Sequence, residues 1–164
     1  MKKQGKNRLW SLRREKLTGL QKILRALFGS IVFNCAHLCY GLKRGGKRDL
    51  LDAALNRLEE QAARHVGEDR QVWEKVGLPV IYGSLAVAEK GYETAYRHYA
   101  PIVDKVRCIG GSDSQNALFL QTFLKTLIGS KRYADAKAFW QFLMKDKPPS
   151  LIEKKWLAEC SLHI

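Results

Sequence analysis

No Cys-x-x-Cys pair occurs in this chain, and no Cys/His cluster has zinc-finger spacing. The four cysteines, Cys35, Cys39, Cys108 and Cys160, are scattered, which argues against a structural metal site and fits a reducing compartment such as the cytoplasm. Cys35 and Cys39 lie one helical turn apart, but His37 falls roughly 200° around the same helix, so the three cannot converge on an ion. Nor does any segment alternate apolar and polar positions with strand-forming residues, so nothing supports a β-sheet. Acidic residues are almost missing from the first part of the chain. Residues 1–48 hold 13 Lys or Arg and one acid, Glu15, whereas residues 49–164 hold 16 Lys or Arg and 15 acids. The net charge of +13 therefore belongs to the N-terminal segment, which would be drawn to nucleic acid, anionic lipid or an acidic partner. Long apolar runs are lacking too. Ala26–Leu42 spans 17 residues, the lower limit for a membrane helix, and is interrupted by Ser30, Asn34 and His37. It also lies too far from the start for a secretory signal. It reads as a buried helix, and no transmembrane span is favoured.

What is present is helical periodicity. In residues 48–62 the apolar positions Leu50, Leu51, Ala54, Leu55 and Leu58 form one stripe. Similar stripes run through Tyr92, Ala95, Tyr96 and Tyr99, and through Tyr133, Ala136, Phe139 and Trp140. The three superpose at an interval of 41 residues: Leu51, Tyr92 and Tyr133; Ala54, Ala95 and Ala136; Leu58, Tyr99 and Trp140. Each helix thus carries a large residue, a small one three later, and a large one four beyond that. A Gly- or Lys-rich turn precedes each helix, and another apolar helix precedes each turn, over 31–42, 79–89 and 114–128. The pattern predicts an all-α chain of about seven helices: a basic amphipathic arm over 1–30, then stacked antiparallel helical hairpins over 31–164, a tetratricopeptide-like α-solenoid. Alanine lets the second helix of a hairpin approach the first, and the aromatics fill the groove on either side. The interval is longer than the usual ~34 of such repeats, and the surplus would lie between hairpins.

Residues 108–116, Cys-Ile-Gly-Gly-Ser-Asp-Ser-Gln-Asn, hold the motif nearest to a phosphate loop. No Gly-Lys-Ser/Thr follows, and Asp113 would repel an anion. Ser112 and Gln115 have capping-box spacing, while Gly110 and Gly111 suit a left-handed helix end. The stretch is expected to end one helix and start the next.

From Val76 to Ala136 the chain resembles the C-terminal part of the tetratricopeptide-repeat protein 38 family. The resemblance is carried by V-G-L-P (Val76–Pro79), G-Y-x-x-A (Gly91–Ala95), I-G-G-S-x-x-Q (Ile109–Gln115), F-x-Q-T (Phe119–Thr122) and R-Y-x-x-A (Arg132–Ala136). It extends upstream to Phe33, where the family shows F-N-D-x-H and this chain has Cys35 in place of the acid. Family members are longer, so this sequence is similar to their last part standing alone. The resemblance implies an α-helical repeat, no carried-over catalytic residue and no established substrate.

No Ser/His/Asp or Cys/His grouping is readable from spacing, and His37, His65, His98 and His163 are singletons. No catalytic residue, metal or cofactor is expected. The arm has Leu9, Leu12, Leu17, Leu20, Ile23, Leu24, Leu27 and Phe28 at helical intervals, with Arg8, Arg13, Arg14, Lys16, Lys22 and Arg25 as a candidate basic patch. It either covers the first hairpin or binds an acidic groove or membrane surface. The favoured function is a non-catalytic interaction module offering a protein or peptide partner, acidic ones included, a concave face of first-helix side chains. Outward-facing candidates are Asn34, His37, Gln115, Asn116 and Gln121. The alternatives are nucleic-acid or anionic-membrane binding through residues 1–48, an enzyme pocket around Ile109–Gln115, or a detached family fragment without a role of its own.

Overall fold

The computed structural model describes residues 32–143 and 148–163. The arm over 1–30 and its patch, Arg8, Arg13, Arg14, Lys16, Lys22 and Arg25, lie outside the described residues. These comprise eight α-helices and no strand. They are α1 (Val32–Arg44), α2 (Arg48–Arg64), α3 (Gly67–Val72), α4 (Leu78–Ala88), α5 (Tyr92–Tyr99), α6 (Asp113–Gly129), α7 (Tyr133–Leu143) and α8 (Leu151–Ser161).

The stripes read from sequence are the faces that turn inward. Leu51, Ala54 and Leu58 are buried on α2, Ala95 and Tyr99 on α5, and Ala136 on α7. Tyr92, Tyr133 and Trp140 are half-buried against the same core. Helix α4 is buried from Leu85 through Ala88 and at Val80, Ile81, Gly83 and Ser84. A helix apolar on all sides must be covered on all sides, and α4 packs against α1, α5 and α6. Helix α6 continues the layer to α8. The pairs α1–α2, α4–α5 and α6–α7 each pack together across a three-residue turn.

The three turns are alike. Lys47, Gly91 and Arg132 donate their N–H to the carbonyls of Leu42, Ala86 and Leu127, five residues back. The residue before each is left-handed: Gly46, Lys90 and Lys131, with φ of 65°, 60° and 60°. This is the Schellman helix end, which satisfies carbonyls that a helix C-terminus leaves open. Counted from these bonds, the second and third turns are 41 residues apart, but the first and second are 44 apart. The side-chain register and the turn register therefore differ by three residues in the first pair.

The surplus between pairs is helical. Helix α3 runs through a π-helical turn, Trp73–Gly77, directly into α4. Pro79 lacks an N–H, and its ring crowds the carbonyl four residues back, so a widened turn ahead of it relieves the helix. The second surplus segment is a 3₁₀ helix, Val103–Ile109.

Candidate functional site

Among the described residues a cleft of about 240 Å³ opens where α1, α4 and α6 lie side by side. Helix α1 contributes Ala36, His37 and Tyr40, and α4 contributes Ser84 and Val87. From α6 come Leu118, Phe119, Thr122 and Lys125, which fall on one stripe at spacings of three and four. Helices α1 and α6 meet through an aromatic cluster. The rings of Phe33 and Phe119 are 5.7 Å apart and edge-on, and His37 lies 4.1 Å from Phe33.

The polar groups of the cleft have defined roles. His37 Nδ1 lies 2.8 Å from the Phe33 carbonyl, which can only accept, so Nδ1 carries the proton and Nε2 points away from its own helix. Ser84 Oγ donates to the Val80 carbonyl, and Tyr99 Oη, 2.8 Å away, donates to Ser84. Thr122 Oγ1 is held by the Leu118 carbonyl. Lys125 is exposed and forms no ion pair among the described residues, and no acid lines the described cleft. Tyr40 is 39% exposed and Leu118 40%. A larger hollow of about 560 Å³ takes its described lining from α2, with Asn56, Arg57, Glu60 and Arg64 among it.

The five side chains expected on the open face divide. His37 lines the cleft, and Asn34 is exposed one turn before it. Gln121 is half-buried beside the cleft stripe of α6. Gln115 is consumed by the helix cap. Asn116 does not face outward: it is buried, at 6% exposure, and its Oδ1 has no hydrogen-bond partner. Asn116 lies on the face of α6 that turns into the core, with Phe119 and Phe123. Sequence reading missed Tyr40, Leu118, Thr122 and Lys125, because it favoured amides as surface binders. The stripe Leu118, Thr122, Lys125 was the available signal.

The glycine motif is a helix start. Ser112 Oγ accepts from Gln115 N–H at 3.3 Å, and Gln115 Oε1 accepts from Ser112 N–H at 2.8 Å. Gly110 and Gly111 have φ of 79° and 92°. A Cβ at Gly111 would stand 2.9 Å from Gln115 Oε1. Two N–H groups that a phosphate would need are already occupied.

Burial pushes the Cys35 thiol up to about 11 and the Cys39 thiol to about 12, so both stay neutral packing groups. Burial raises the Tyr82 phenol, which donates to Glu59 across α4 and α2, and it lowers His98. Among the described residues no group of three or more His, Cys, Asp or Glu could hold a metal ion, and no helix is long and apolar enough to cross a membrane. The chain matches no family model, no curated protein and no solved structure.

Proposed function

We propose that this chain is a non-catalytic interaction module of the tetratricopeptide type, similar to the last part of the tetratricopeptide-repeat protein 38 family. In this reading the helix pairs stack as an α-solenoid, and the first helices of successive pairs offer a groove to a protein or peptide partner. The observation that carries it is the cleft lined by α1, α4 and α6, all first helices of their pairs. The repeated turn supports the same architecture, as do the buried Leu51, Ala95 and Ala136, each four residues beyond its turn. Tyr40 and Leu118 leave apolar surface in water at the centre of that face, as binding patches do.

The test is affinity capture from the native host with three baits: the full chain, a chain lacking residues 1–30, and a Tyr40→Glu, Leu118→Asp double variant. A groove partner is kept by the second bait and lost by the third. A partner kept by the groove variant and lost with the arm sinks this reading. The arm then carries the function through nucleic acid or anionic lipid, the second reading. That reading is favoured by the charge of residues 1–48, and it predicts binding that falls steeply with salt.

A further inference from the structure

The cleft is selective in its chemistry as well as its position. We infer that it takes one large apolar side chain of a partner peptide whose neighbouring residue is Asp or Glu, the carboxylate pairing with Lys125 Nζ. The inference rests on the groove-binding reading above.

Size comes first. About 240 Å³ is below the ~300–1,000 Å³ of typical small-molecule sites. It is enough for a single side chain entering from a peptide backbone that lies outside. The lining comes second. Tyr40 and Leu118 are the partly exposed walls, and an inserted aromatic or branched aliphatic side chain would remove both from water. Charge comes third. Lys125 is one turn of α6 beyond Thr122 and two turns beyond Leu118, is exposed and has no ion pair among the described residues, and no acid lines the described cleft. At the end of α1, Lys43 pairs with Glu89, and Arg44 donates to the Ala88 carbonyl at 3.3 Å. A carboxylate beside the inserted side chain would find Lys125 as the one Lys or Arg of the described lining. The overall charge of +13 steers acidic segments toward the protein. A nucleic-acid strand would need a row of cations to follow its phosphates, and the described cleft offers one lysine with His37 beside it.

The experiment is selection of a displayed random-peptide library on the full chain, with depletion on the Leu118→Asp variant. Synthetic copies of the selected peptides are then titrated against wild type, Lys125→Ala and Lys125→Glu. The expected peptides pair a large apolar residue with an adjacent Asp or Glu. Lys125→Ala weakens them by about tenfold, and Lys125→Glu shifts the preference toward Lys or Arg. Lys125 is exposed, so neither change threatens folding, and circular dichroism confirms this; Tyr40→Glu replaces Leu118→Asp if that variant unfolds. Peptides that need Leu118 but show no acidic preference, or ignore Lys125, overturn this inference and leave the groove reading standing. Displacement of the peptides by a neutral peptide and by single-stranded RNA equally well also overturns it. If no peptide distinguishes wild type from both cleft variants, the inference and the groove reading fall together.

Discussion

The ring of Tyr99 occupies the space that a side chain at position 83 would need. A Cβ at Gly83 would stand 2.6 Å from Tyr99 Cε2 and 2.7 Å from Cδ2. The Tyr99 ring is fully buried, and its hydroxyl donates to Ser84. The contact sets how closely α5 approaches α4, and so how α4 presents Ser84 and Val87 to the cleft. Gly83→Ala gains up to ~1 kcal/mol of helix propensity but forces the ring aside, at about 1–3 kcal/mol. The expected result is a net loss of stability, read as a lower urea midpoint with an unchanged slope. Tyr99→Phe removes only the hydrogen bond and should cost about 1 kcal/mol. A Gly83→Ala protein as stable as wild type would mean that α4 and α5 are not in this contact.

Lys90 and Lys131 hold the left-handed position that Gly46 fills in the first turn. Both are exposed and have no ion pair among the described residues. A left-handed residue with a Cβ costs roughly 1–2 kcal/mol, and glycine gives back part of that through a freer unfolded chain. Lys90→Gly and Lys131→Gly are each expected to stabilise the protein by about 0.5–1 kcal/mol. The two sites lie on different turns, so the effects should add. Thermal melting of the single and double variants checks this, and a fall in midpoint for either variant contradicts the turn geometry.

The capping boxes at Ser112 and Ser150 are the third test. Each serine accepts from the backbone N–H three residues on, and Gln115 or Glu153 reaches back. Ser112→Ala and Ser150→Ala should each cost about 1 kcal/mol. Inorganic phosphate should not stabilise the wild-type protein, because the donors at Ser112 and Gln115 are already used. A midpoint that rises with millimolar phosphate and loses that rise in Gly111→Ala would restore the phosphate-loop reading.

These residues show how far the sequence could be read. The stripes through Ala54, Ala95 and Ala136 and the Ser112 cap were legible because each depends on neighbours within one or two turns of the same helix. The run from Gly67 to Ala88 was not. Gly67 and Pro79 look like punctuation, yet Gly67 starts a helix at φ 60° and the π turn absorbs Pro79 without ending it. The slip of three residues at the first turn was hidden for a related reason. Lys47 and Gly91 occupy the same turn position, but nothing in their chemistry marks it. The cleft was legible only in part, since it needs α1, α4 and α6 side by side, and that juxtaposition is not a property of any one helix. Asn116 went wrong because polarity was read as exposure, whereas its position on the Phe119–Phe123 face decides its burial.

Thiol chemistry supplies the last prediction. Cys108 is exposed, while Cys39 and Cys160 are buried and Cys35 is 1% exposed. A thiol reagent should modify Cys108 quickly in the native protein and reach the other three only after unfolding. Burial raises Cys35 from an ordinary 9.0 to about 11 and Cys39 to about 12. A group whose native value is raised contributes stability that is fully present below its unfolded value. That contribution is lost as pH rises through the native one. Stability should therefore fall from about pH 9 upward, as the unfolded chain releases protons that the native chain keeps. Tyr82 and Tyr99 add to the fall with the same sign from their ordinary 10.0. A Cys35→Ala, Cys39→Ala variant should be less stable at neutral pH, through lost packing, yet show a flatter loss between about pH 9 and about pH 10. Urea titrations across that range decide the matter. Equal slopes for wild type and variant, or three thiols reacting at once in the native protein, would show that α1 is not packed through Cys35 and Cys39.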